Sequence, residues 1–116
     1  MDYSSITELD LSNKELTELP DLSNYTNLKK LDCSYNKITH LDNLPLSLTN
    51  LYCSRNQITH LDNLPLSLTS LYCNGNQIIH LDNLPLTLIE LYCHGNPFIY
   101  DFKPTLENIR KHNQKN

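Results

Sequence analysis

Polar and apolar side chains alternate over five short stretches, residues 8–12, 30–34, 50–54, 70–74 and 90–94. A period of two marks a strand with one buried face, so Leu51 and Cys53 point one way while Asn50, Tyr52 and Ser54 point the other. Between these stretches runs a longer series whose best-kept form is LDNLPLSL, at residues 41–48. Its proline disfavours a helix and predicts an extended, polyproline-like return. The first interval between stretches, from Leu11 to Cys33, is 22 residues and the later three are 20. Each unit therefore holds one strand and one return, and no unit can bury its apolar side alone. Stacking the units joins Leu48, Leu51, Cys53, Ile58, Leu61 and Leu64 into one continuous core, which predicts a parallel solenoid. Each fully buried large aliphatic side chain contributes roughly 1.5–3 kcal/mol to that stack.

The units share the skeleton L-x-x-L-x-(L/C)-x-x-N-x-(L/I), anchored at Ile6, Leu28, Leu48, Leu68 and Leu88. Asn36, Asn56, Asn76 and Asn96 fall just after each strand, where a tight bend leaves backbone groups to be satisfied; a side-chain amide supplies donors and an acceptor together. The first unit has Lys14 at this place. On these residues the chain resembles a leucine-rich repeat protein, over residues 6–98. It is similar in particular to the short bacterial type, L-P-x-L-P-x-x-L-x-x-L-x-x-x-x-N-x-L-x-x, found in effectors that pathogens deliver into host cells, some of which carry a ubiquitin-ligase domain. Related Asn-rich repeat proteins of giant amoebal viruses share the composition. Asp42, Asp62 and Asp82 replace that type's first proline, which only Pro20 keeps, and the N-terminal helical hairpin and ligase domain have no counterpart.

The resemblance implies a leucine-rich repeat solenoid with a parallel sheet of about five strands on its concave face and an extended convex side. Residues 1–98 are assigned to five repeats and 99–116 to a C-terminal cap. Within the cap, Pro104 permits a helix from Thr105 whose Leu106 and Ile109 face the core. Phe98 and Phe102 are expected to seal the last repeat, and residues 112–116 to fray. The other end has no comparable lid, although Glu8 and Asp10 on the first strand discourage pairing with another chain.

Leu makes up about a fifth of the 116 residues, and Ala, Val and Trp are absent. The formal charge of −4 provides no electrostatic footprint for nucleic acid or an anionic membrane. The N-terminus has neither a basic start nor an apolar run, and no apolar stretch is long enough to span a bilayer. The expected location is cytoplasmic (host cytoplasm for a viral or effector protein), with thiols kept reduced.

Two periodic columns invite a chemical reading. Cys33, Cys53, Cys73 and Cys93 take the inward position that Leu11 fills in the first unit. A linear column cannot form a zinc tetrahedron, and a thiol in apolar surroundings is a poor nucleophile, so they read as core. His40, His60 and His80 project from the edge near Asp42, Asp62 and Asp82; a solvated ladder is the preferred reading and metal binding a minor alternative. No phosphate loop, zinc-protease motif or nucleophile elbow occurs, so no enzyme activity, catalytic residue, metal or cofactor is expected.

On the outward strand face the columns stop being copies. One runs Asp10, Asp32, Tyr52, Tyr72, Tyr92; the next runs Ser12, Ser34, Ser54, Asn74, His94; just beyond lie Tyr35, Arg55, Gly75 and Gly95. Tyrosine and arginine are enriched at interaction hot spots. The expected function is a non-catalytic protein-interaction module that binds a protein or peptide on this face. Tyr52, Tyr72 and Tyr92 would be its anchors, with Asp32, Arg55 and His94 setting polarity. The rings could instead serve only to cover the sheet. A monomer is expected ahead of an oligomer, with a self-assembling solenoid as the alternative.

Overall fold

The structure, a computed structural model, describes residues 2–115. Its strands are β1 (Glu8–Asp10), β2 (Lys30–Asp32), β3 (Asn50–Tyr52), β4 (Ser70–Tyr72) and β5 (Glu90–Tyr92), followed by α1 (Leu106–Gln114). All neighbours pair in parallel and in sequence order, with Leu9, Leu31, Leu51, Leu71 and Leu91 in register across the sheet. The strands are only three residues long, yet the backbone ladder runs past them. Cys33 N–H donates to Tyr52 C=O at 2.8 Å and Tyr35 N–H to Ser54 C=O at 2.9 Å. Repetition of these bonds builds an elongated body of 47 × 28 × 18 Å.

The core is the column predicted by the alternation. Leu48, Leu51, Cys53 and Ile58 are fully buried, as are their counterparts in the fourth repeat. The Asn column closes each bend. Asn56 Nδ2 donates to the carbonyls of Cys33, Cys53 and Ser54, while its Oδ1 accepts from Ile38 N–H at 3.0 Å. One amide thus ties its own turn to the preceding repeat. Such an amide needs a repeat ahead of it, and among the described residues no strand precedes β1.

The return segments contain no helix among the described residues. Leu41 and Leu44 turn inward, but Leu46, Leu66 and Leu86 are 84%, 81% and 94% exposed. Beside them the hydroxyls of Ser47, Ser67 and Thr87 donate to the carbonyls of Leu28, Leu48 and Leu68, each at 2.6 Å. These bonds stitch the returns together where regular secondary structure is lacking.

The cap differs from expectation at its far end. Thr105 is the N-cap of α1, its hydroxyl accepting from Asn108 N–H at 3.1 Å, and the helix starts at Leu106. Residues 112–114 are helical rather than frayed; Asn116 lies outside the described residues. The His112 ring sits 5.3 Å from Tyr100 and 5.5 Å from Phe102, and Asn113 Nδ2 donates to Leu81 C=O. These contacts hold the last turn. At the opposite end, Tyr3 stacks on Tyr25 at 4.7 Å, while Leu9 and Leu11 remain only partly buried.

Candidate functional site on the concave face

Parallel pairing in register places identical positions of successive repeats side by side, so a column in the sequence becomes a row on the sheet. The tyrosines therefore form one ladder. The rings of Tyr52 and Tyr72 are 4.6 Å apart and tilted by 50°, and those of Tyr72 and Tyr92 are 4.5 Å apart and edge to face. Such offset or T-shaped pairs stabilise beyond their buried area. The ladder is anchored at its first and middle rings. Lys30 Nζ lies 5.3 Å from the Tyr52 centroid, and Tyr72 donates its hydroxyl to Glu90 Oε1 at 3.1 Å. Partial removal from water, then the Glu90 hydrogen bond, push the Tyr72 phenol up to about 12. Tyr92 remains 46% exposed and is the open end.

Asp32 stands beside Tyr52 in this row and accepts from Ser34 N–H at 3.0 Å. Together with Tyr35, Tyr52, Tyr72 and Asn74 it lines a shallow hollow of about 390 Å³ on the concave face. Arg55 and His94 do not line that hollow. Arg55 sits at the bend after β3 with φ 57°, and its side chain runs across Gly75 of the next repeat. His94 is exposed at the last repeat. The predicted site residues thus divide into a hollow around Asp32 and the first two rings, and a more open region toward β5.

Three features were not anticipated from the sequence. Glu90 acts as an acceptor inside the ladder, taking the hydroxyls of both Ser70 and Tyr72 on one oxygen. Asn74 is fixed by Ser54, whose hydroxyl donates to its Oδ1 at 2.6 Å. The exposure of Leu46, Leu66 and Leu86 is the third. For the first two a signal was available, since Ser70 with Glu90 and Ser54 with Asn74 are separated by one repeat and must be neighbours.

The periodic columns keep structural surroundings. All four thiols are free and buried. Desolvation raises each of them, Cys33 to about 12 and Cys93 to about 11, and pushes Cys53 and Cys73 well above the ordinary 9.0. Each histidine pairs with the aspartate of its own turn, at 3.2 Å for His40–Asp42, 3.5 Å for His60–Asp62 and 3.0 Å for His80–Asp82. His40, Asp42, His60 and Asp62 border a larger hollow of about 740 Å³ along the return segments. Among the described residues no three His, Cys, Asp or Glu side chains converge as a metal-ligand set. No described helix is long and apolar enough to cross a membrane.

Comparison with known proteins agrees with this architecture. The family model for Leucine Rich repeats (2 copies) matches residues 4–46. No curated protein matches the chain significantly. Among solved structures, YopM from Yersinia enterocolitica WA-314 is similar, with a TM-score of 0.60 and 32% sequence identity over 89% of this chain. The chain spans 27% of that protein's length. The bacterial side of the resemblance thus has a structural counterpart, whereas the viral side rests on composition. Solenoids of this kind commonly present their concave sheet as a protein-binding surface. Five parallel strands in register, closed by one C-terminal helix, make this chain a leucine-rich repeat solenoid.

Proposed function

We propose that the protein is a non-catalytic interaction module that binds a protein or peptide partner on its concave face. The observation that carries this reading is the contiguous ring ladder of Tyr52, Tyr72 and Tyr92, with centroids 4.6 and 4.5 Å apart on the outward side of the sheet. Large amphipathic rings held in place lose little freedom on binding, which is why tyrosine is favoured at hot spots. Asp32, Arg55 and His94 set the polarity around them. Five strands span only ~20 Å, so the footprint fits an extended peptide or one edge of a protein. The host cytoplasm is the proposed place of action, on the likeness of the repeats to delivered effectors. With its net charge of −4 the chain is not suited to nucleic acid.

The test is a quantitative binding measurement with a partner recovered from host-cell lysate by the wild-type chain. Truncation of a hot-spot ring costs about 2 kcal/mol or more, so Tyr52→Ala with Tyr72→Ala should weaken binding at least about a hundredfold. Unchanged affinity in a folded double variant would mean that the rings only cover the sheet.

A further inference from the structure

Arg55 is a cation with no anion. Among the described residues its guanidinium takes part in no ion pair or hydrogen bond, yet its course is set by the neighbouring repeat. A Cβ at Gly75 would come within 2.8 Å of Arg55 Cδ and 3.1 Å of Nε, so the side chain lies across bare backbone that only glycine provides. Asn74 adjoins it, its carbonyl accepting from Arg55 N–H at 2.9 Å. The Ser54 hydroxyl occupies Asn74 Oδ1 at 2.6 Å, which leaves both Nδ2 protons free for an acceptor from outside. Arg55 and Asn74 thus adjoin through the backbone, and among the described residues neither the guanidinium nor the amide Nδ2 has an acceptor of its own.

The other charges on this face are badly placed for an anion. Lys30 already lies over the Tyr52 ring, and Glu90 is engaged by Ser70 and Tyr72. Glu8, Asp10 and Asp32 make the β1–β2 half acidic, and Asp10 and Asp32 sit opposite each other in register. An incoming anion is repelled there and directed toward β3 and β4. Arg–carboxylate pairs are charge-assisted and frequently bidentate, a geometry that a lysine point charge does not match. Taking the concave face as the binding face, we infer that Arg55 and Asn74 form an anion site for an acidic side chain of an extended peptide. The peptide's glutamate or aspartate carboxylate lies on this pair while its neighbouring residues lie on the ring ladder.

The experiment is a titration of the ¹⁵N-labelled chain, followed by NMR, with an acetylated and amidated Tyr-Gly-Glu-Gly-Tyr peptide and its Gln counterpart. The Arg55 Nε–H and Asn74 Nδ2–H₂ signals should shift saturably with the Glu peptide. Binding should be weaker by about tenfold or more for the Gln peptide and for the Arg55→Gln variant. Gly75→Ala should have a similar effect with Arg55 retained; Arg55→Gln, at an exposed position, carries the test if that variant folds poorly. Equal affinity for the two peptides, with shifts confined to Tyr52 and Tyr72, overturns the anion site and leaves the ring ladder standing. Shifts at Arg55 and Asn74 without any at the tyrosines keep the anion site and count against the ladder. No movement of Arg55 or Asn74 at millimolar peptide, or an equal response to inorganic phosphate, overturns the assignment to a side-chain carboxylate.

Discussion

Asn56 carries more of the fold than its size implies. Its amide donates to three carbonyls across two repeats and accepts from Ile38 N–H, and all but the bond to Ser54 are buried. Asn56→Ala leaves buried backbone groups without partners, and each such group costs about 1–3 kcal/mol. A loss of about 2–4 kcal/mol in urea unfolding is expected. Asn96→Ala should cost less, because Asn96 is only half-buried and none of its four bonds is closed to water, one being exposed. Equal losses at the two positions would contradict this account. These roles were readable in advance because period and alternation together determine which way a residue points and what it meets. The same logic identified Cys53 as core and Tyr52 as surface. It could not place Leu46, since an irregular return has no period to separate inside from outside. Nor could it foresee Arg55 lying over Gly75, which depends on side-chain torsions and on the accident of a glycine one repeat later.

The cap helix does for the last repeat what a sixth repeat would do. Arg110 donates to the carbonyls of Pro85 and Leu88, at 2.9 and 2.8 Å. The second of these takes the place of the Ser47, Ser67 and Thr87 hydroxyls, which serve the equivalent leucine carbonyls in earlier repeats. Tyr100 stands where His40, His60 and His80 stand, but its hydroxyl turns back to meet both the N–H and C=O of Leu81. Ile109 is fully buried beneath this polar frame. Pro104, Leu106 and Ile109 announced the helix, whereas its length did not show in the sequence. Contacts of His112 and Asn113 with residues far along the chain decide where it ends. Ile109→Ala should cost about 2–4 kcal/mol, as for other buried aliphatic truncations. Because repeats interact mainly with their neighbours, amide-exchange protection should fall most in residues 81–100 and least near β1 and β2. Uniform loss along the chain would show that the solenoid unfolds as one unit instead.

Along the length of the molecule the buried thiols form a column that responds to pH in concert. Each is neutral in the folded state and held so by desolvation, while an unfolded thiol ionises near the ordinary value of 9.0. A folded value above the unfolded one means that the native state keeps protons which the unfolded state has released. The contribution is therefore complete below about pH 9 and falls away as pH rises toward the folded value, which for Cys33 is about 12. The slope is about 1.4 kcal/mol per pH unit for each thiol, so Cys33, Cys53 and Cys73 together lose about 4 kcal/mol per unit. Between pH 9 and 11 that amounts to about 8 kcal/mol, comparable with a typical domain stability of about 5–15 kcal/mol, so stability should fall steeply over this range. Tyr72 adds a loss of the same sign, beginning nearer pH 10. Urea titrations between pH 7 and 11 separate the contributions, because Cys53→Ala should reduce the steepness by one proton while leaving the tyrosine part unchanged. Stability that stays level from pH 9 to 11 in the wild-type chain would show that the thiol column is open to water.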